Sequence, residues 1–197
     1  MKNGLKVIGF GAALAATVAA QAKWTEMPAA SRVAVAKSKM MVVAPPKWNQ
    51  ASVRLSKKSE TWSFDGPLLN HVDFFAAVSP GEPLIKERNK KRDPLPKFAA
   101  SMHATEVAEM YERTSRITQS ANDFVIDTVT PVKFADRKGF RFSYHYTDGQ
   151  TLTRKGLAAG AIVDGKLYLI TYEAPAIQYF DAGLLDAQTI MDSATIG

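Results

Sequence analysis

Two pairs of side chains have types and spacing that could support acid–base or metal chemistry. His71 and Asp73 stand two residues apart in one predicted strand, which places both on one face, and Ser143 and His145 repeat this spacing in another. A catalytic zinc would need a third protein ligand, and a serine nucleophile would need a strained turn and an orienting acid. Neither feature accompanies these pairs. We therefore predict no catalytic and no metal-binding residue, and keep a hydrolase or small-ligand site built on His71, Asp73 and His145 as the alternative.

A third motif resembles a phosphate-binding loop. The segment from Gly160 to Leu167 has a glycine, four residues, a second glycine and Lys166. A true phosphate loop continues with a hydroxyl residue and a helix, whereas Leu167 follows here and the next residues alternate as in a strand. The segment is predicted to be a hairpin turn. The chain also has no cysteine, which excludes disulfides, thiolate metal sites and a lipid-modified cysteine. We predict no cofactor.

A basic segment lies at residues 84–97, between prolines and without apolar periodicity. It is predicted to be a loop, and its basic residues are the candidate binding residues. These are Lys86, Arg88, Lys90, Lys91 and Arg92, with Lys97 following and Glu87 and Asp93 interspersed. Such a loop can meet anionic lipid headgroups, a lipopolysaccharide or an acidic protein, or it can serve only as a solvated surface. Nucleic acid is not predicted, because no aromatic residue interleaves the run.

The chain of 197 residues begins with a pattern typical of a secretory signal peptide. Two lysines, Lys2 and Lys6, precede a short apolar run that ends in Ala20-Gln21-Ala22. Cleavage after Ala22 would leave 23 basic and 19 acidic residues, a net charge of +4. We therefore predict a signal peptide over residues 1–22, an N-terminal tether over 23–39 and a single α+β domain over 40–197. The predicted location is periplasmic or secreted.

Hydrophobic periodicity predicts two helices and several antiparallel strands in that domain. The first helix, over 106–119 with Thr105 as N-cap, has an apolar stripe of Val107, Met110, Tyr111, Thr114 and Ile117. The second helix is predicted to begin after an Asp181 N-cap, with a hydrophobic staple between Phe180 and Leu185. Trp48 and Trp62 are expected in the core rather than in a ligand groove. The predicted strands cover residues 40–43, 60–64, 68–78, 124–129, 140–146, 152–163 and 166–173.

The C-terminal half resembles the PsbP-type fold. The resemblance rests on the aromatic strand GFRFSYHYTDG, the Asp164-Gly165-Lys166-Leu167-Tyr168 turn and the closing helix, over about residues 123–196. It implies an antiparallel sheet packed between helices, an α/β/α sandwich, in proteins that mostly act in binding or assembly. The first half, with Trp62 to Leu69 (W-x-x-D-G-x-L-L), is similar to uncharacterised exported bacterial proteins, often lipoproteins.

Together these features predict an exported, non-catalytic binding or assembly protein of the bacterial cell envelope. Its expected partner is an envelope protein or an anionic surface. Besides the small-ligand or hydrolase alternative, binding of anionic lipid through residues 86–97 stays open.

Overall fold

The computed structural model describes residues 23–197, so the predicted signal peptide lies outside the described residues. The described chain forms eleven strands and two helices. The strands are β1 (Trp24–Glu26), β2 (Ser31–Ala34), β3 (Met40–Ala44), β4 (Asn49–Ala51), β5 (Ser59–Ser63), β6 (His71–Val78), β7 (Asn122–Phe134), β8 (Arg137–Thr147), β9 (Thr153–Val163), β10 (Lys166–Pro175) and β11 (Thr195–Ile196). The helices are α1 (Ala104–Gln119) and α2 (Tyr179–Asp192).

The strands form one large and one small antiparallel sheet. The large sheet has eight strands in the order β1-β4-β5-β6-β10-β9-β8-β7, and the small one has the order β11-β3-β2. Strands β8 to β10 make the three-stranded meander predicted from the alternating pattern, and β7 extends it by pairing with β8. Strands β6 and β10, nearly a hundred residues apart in the chain, pair at the centre of the large sheet and join its two halves. In this pairing Asp73 lies opposite Thr171.

Helices cover both faces of the large sheet, which confirms the α+β sandwich. On one face, α1 packs on the aromatic row of β8, including Phe142 and Tyr144. These residues form one hydrophobic core cluster. A second core cluster lies on the other face of the sheet and includes Ala187, Ile190 and Met191 of α2. Strand β10 serves both clusters, because its two faces are apolar, as the sequence predicted. Trp48 and Trp62 are fully buried in the α2-side core.

Residues 23–39 were predicted to be a tether, and the structure corrects this. Strand β1 pairs with β4 at the sheet edge, and β2 pairs with β3. Met27 and Val35 are buried. The strands are too short to show a clear alternation in sequence, and their position depends on partners that follow later in the chain.

Both helix starts also differ from prediction. Helix α1 is capped by His103 rather than Thr105, and the Glu106 carboxylate accepts a 2.7 Å hydrogen bond from the His103 backbone N–H. Helix α2 begins at Tyr179, after Gln178 in a positive-φ conformation. Leu185 is 75% exposed, so the predicted hydrophobic staple does not form.

Candidate binding cleft

The basic segment forms the loop predicted from sequence, and it connects β6 to α1. Two hydrogen bonds hold it against the rest of the protein. The Lys86 N–H donates to the Leu55 carbonyl at 2.8 Å, and the Glu87 carboxylate, on a side chain that is nearly buried, accepts from the Leu95 N–H at 3.2 Å. The five candidate binding residues, Lys86, Arg88, Lys90, Lys91 and Arg92, are all exposed. Glu87 thus helps to hold the loop and lies 3.9 Å from Lys90, whereas Asp93, 4.0 Å from Arg92, and the five cations remain at the surface.

A cleft of about 250 Å³ lies between this loop and the last turns of α1. Lys86 and Arg88 line it from the loop, and Asp73 and Phe75 line it from β6. Ile117, the last residue of the predicted apolar stripe, also lines it and is 45% exposed, whereas the first four residues of the stripe are buried. The structure therefore brings part of the basic segment and one member of the His71–Asp73 pair to the same site. We call it the α1 cleft.

Asp73 is nearly fully buried at the cleft. Its Oδ1 accepts a 2.5 Å hydrogen bond from the Thr61 hydroxyl on the neighbouring strand. Its Oδ2 lies 3.7 Å from His71 Nε2, and His71 Nδ1 lies 3.0 Å from the Pro67 carbonyl, to which it donates. Burial raises the pKa of the Asp73 carboxyl above its usual value, against the opposing effects of His71 and Thr61.

A second buried acid, Glu173 of β10, lies beside this pair and is well satisfied. Arg154 Nε donates to its Oε1 at 2.8 Å, and the Tyr146 hydroxyl donates to the same oxygen at 2.6 Å. The Tyr144 hydroxyl reaches Glu173 at 3.5 Å and Tyr111 of α1 at 2.9 Å. Burial raises the pKa values of these three tyrosines, and the Glu173 charge adds to the effect. Their hydroxyls therefore stay protonated and bridge α1 to the sheet.

The remaining predicted residues lie elsewhere. His145 alternates with Tyr144 and Tyr146, so it lies on the opposite face of the sheet, where its Nδ1 is 2.8 Å from Asp127 Oδ1. Ser143, on that same face, bonds Thr128 at 2.7 Å. The structure thus joins His71 with Asp73 but separates both from His145. The segment from Gly160 to Leu167 is the predicted hairpin, with positive φ at Asp164 and Gly165.

The described residues hold neither a cluster of metal ligands nor a membrane-length helix, and they form a further groove. Within residues 23–197, no group of three or more His, Cys, Asp or Glu residues is arranged to hold a metal ion. Nor is any helix in that range long and apolar enough to cross a membrane. A more open groove runs between the start of α1 and the β7–β8 hairpin, along His103, Pro131 and Phe140.

Sequence reasoning missed Glu173, Arg154 and Tyr111 as parts of this site. One signal was present: Glu173 follows Leu167, Leu169 and Thr171 in the two-residue period of β10, and so falls on an inward-facing position. A charged residue there needs a buried partner. The identity of that partner, Arg154, depends on the pairing of β9 with β10.

No protein-family model matches this sequence, and neither does any curated protein. Solved structures are similar to it in fold. The solution structure of cyanobacterial PsbP from Synechocystis aligns with a TM-score of 0.58 and 13% identity, over 85% of this chain and 92% of that chain. A mutant of the protein Mog1 aligns with a TM-score of 0.50 and 9% identity, over 84% and 95%. LpqN of Mycobacterium tuberculosis, involved in cell envelope biogenesis, aligns at 0.39 with 9% identity, over 89% and 91%. The chain has a PsbP-like fold.

Proposed function

We propose that this protein is an exported, non-catalytic binding protein of the bacterial cell envelope, and that its basic loop binds an anionic membrane surface. The observation that supports this most directly is the placement of five exposed cations on one loop. Two of them, Lys86 and Arg88, also line the α1 cleft. The predicted signal peptide supports the location.

The surroundings of the loop favour a membrane over a purely polar partner. Val53 and Leu55 precede β5 and are 57% and 38% exposed, and the Leu55 carbonyl is bonded to the loop itself. Exposed aliphatic side chains next to lysine and arginine are typical of protein surfaces that attach to anionic lipid. A catalytic role is less well supported, because His145 and the His71–Asp73 pair lie on opposite faces of the sheet.

Vesicle binding tests this proposal. The wild-type protein should bind phosphatidylglycerol vesicles better than phosphatidylcholine vesicles, and the binding should weaken with salt. The variant K90Q/K91Q/R92Q should bind about 100-fold more weakly, since each cation near an anionic surface contributes about 1 kcal/mol.

The matched control is K133Q/R137Q/K138Q, which removes three exposed cations from around the β7–β8 turn. It lowers the net charge equally but leaves the loop intact, so it should retain most of the binding. Equal losses in both variants would mean that net charge alone drives binding, and that result would refute a specific role for the loop. Failure of the wild-type protein to distinguish the two lipids would refute the proposal altogether.

A further inference from the structure

The α1 cleft contains a buried carboxylate that lacks a basic partner of its own. Glu173 is matched by Arg154 at 2.8 Å. Asp73 forms no ion pair with lysine or arginine within residues 23–197. His71 Nε2, 3.7 Å from Asp73 Oδ2, is shared with the second acid, because it also lies 3.9 Å from Glu173 Oε1. Thr171, opposite Asp73 in the sheet and behind the lining of the cleft, has a buried hydroxyl without a hydrogen-bond partner among residues 23–197. Buried charges are normally paired, so this end of the cleft can accept a cationic hydrogen-bond donor.

The other end of the cleft has the opposite charge preference. Lys86 and Arg88 line it at the loop side and are exposed, together with Asp93, whose carboxylate lies 4.0 Å from Arg92 Nε. Arginine and lysine are the usual partners of phosphate oxygens in proteins. A simple cation would be repelled by these two residues on entry, whereas a ligand with both charges would satisfy each end.

The size of the cleft limits the ligand further. Its volume of about 250 Å³ is below the ~300–1,000 Å³ of sites that hold drug-sized molecules. Leu55 and Ile117 lie at the cleft and are partly exposed, so an aliphatic chain leaving it would meet apolar side chains. A compact polar group attached to an apolar remainder fits both features.

We propose that the α1 cleft binds a phosphoethanolamine group, with its ammonium donating to Asp73 and its phosphate contacting Lys86 and Arg88. The inference rests on the proposed function in one respect, because it takes the ligand chemistry from a membrane lipid headgroup. The same group occurs as soluble O-phosphoethanolamine and as the headgroup of phosphatidylethanolamine. Trimethylation of the ammonium, as in phosphocholine, removes the donors that Asp73 needs.

The first experiment titrates the protein with O-phosphoethanolamine and measures the dissociation constant by calorimetry. We expect O-phosphoethanolamine to bind saturably to the wild-type protein and at least tenfold more weakly to D73N. Phosphocholine should bind the wild-type protein more weakly than O-phosphoethanolamine does. The matched control is D127N. Asp127 also lies beside a histidine, His145, but on the opposite face of the sheet. This variant should bind O-phosphoethanolamine with a dissociation constant within twofold of that of the wild type. Absence of saturable binding, an unaffected D73N or an equal loss in D127N would overturn the proposal.

A second variant keeps the test valid if D73N fails to fold. K86Q/R88Q changes two exposed residues and should also weaken binding at least tenfold, while its thermal unfolding midpoint stays close to that of wild type. Unchanged binding in K86Q/R88Q would overturn the assignment of the phosphate end.

The source of the ligand is decided with vesicles. Adding phosphatidylethanolamine to phosphatidylcholine vesicles should increase binding of the wild-type protein but not of D73N if the lipid is the ligand. Binding of the soluble compound alone would assign the cleft to the free zwitterion. Binding of phosphatidylglycerol vesicles by the basic loop is measured separately, and the D73N substitution should leave it unchanged. The two proposals can therefore fail independently.

Discussion

Asp73 is buried beside a histidine and without a lysine or arginine partner, and this makes the stability of the protein depend on pH. Because burial raises the pKa of this carboxyl in the folded state, the folded chain binds the proton more tightly than the unfolded chain, where the pKa is about 3.9. The free energy of unfolding therefore falls as pH rises from that value through the raised pKa. D73N lacks this group and should not show that part of the decrease.

Urea unfolding of both proteins across pH 4 to 8 measures the difference. The stability of D73N relative to wild type should increase with pH over the lower part of the range and then level off. A constant difference at all pH values would contradict a raised pKa at Asp73.

The Arg154–Glu173 pair leads to a separate prediction at the same scale. Both residues are nearly inaccessible, so R154M would leave the Glu173 carboxylate buried with tyrosine hydroxyls and with His71, whose Nε2 lies 3.9 Å away. We expect a loss of about 3–5 kcal/mol in the free energy of unfolding, as for other broken buried ion pairs. The double variant R154M/E173Q should recover part of the loss. If the double variant were less stable than R154M alone, the buried charge would not be the cause.

For individual residues, the sequence predicted the properties that depend only on nearby positions in the chain. Strand alternation placed His71 and Asp73 on one face, and the composition of residues 84–97 predicted exposed cations. The contacts of Asp73 with Thr61 and of Glu173 with Arg154 could not be predicted, because they depend on which strands pair and in which register.

At the scale of secondary-structure elements, a glycine in β9 makes room for an aromatic ring of the neighbouring strand β8. Gly156 pairs with Tyr144, and a Cβ at this glycine would overlap the tyrosine ring. G156A should therefore displace Tyr144, break its hydrogen bond to Tyr111 and cost about 1–3 kcal/mol of stability. G149A is the control, since its Cβ would only make an ordinary 3.7 Å contact with Ser120.

The stability of the two glycine variants is measured by denaturant unfolding. G149A should stay within about 0.5 kcal/mol of wild type, as expected for a surface position. Equal destabilisation by both substitutions would show that glycine flexibility, rather than the approach of the tyrosine ring, matters at residue 156.

Elements with a strong local pattern were predictable, and those without one were not. The stripe of α1 and the alternation in β8 were sufficient to place both. Strand β7 is longer than the predicted 124–129 segment, because it continues to a hairpin at Ala135-Asp136, where both residues have positive φ without any glycine. No turn signal marks that position in the sequence.

For the whole molecule, the predicted export has a direct consequence. Expressed from the full sequence in a Gram-negative bacterium, the protein should accumulate in the periplasm as a form that begins at Lys23. Intact mass measurement of the periplasmic fraction tests this. A form that retains the segment 1–22 and stays in the cytoplasm would contradict the prediction and the proposed envelope role together.

At this scale, the sequence predicted the sandwich class but not the sheet order. Alternation and turn signals predicted the meander and the closing helix, and the resemblance over residues 123–196 implied that helices cover the sheet on both faces. The pairing of β6 with β10 brings Asp73 beside Thr171 and fixes the position of β6, whose Asp73 and Phe75 line the α1 cleft. Such long-range pairing has no local pattern, because it is determined by burial of both chain halves around one sheet.

The central proposal is that ligands bind at the basic loop and the α1 cleft rather than elsewhere on the surface. Amide chemical-shift mapping of the folded protein during titration with O-phosphoethanolamine, and then with small phosphatidylglycerol bicelles, tests it most directly. The shifts should cluster in residues 84–97 and in the last turns of α1 from Tyr111 onward. Shifts that concentrate instead at the groove along His103, Pro131 and Phe140, or that are absent, would contradict it.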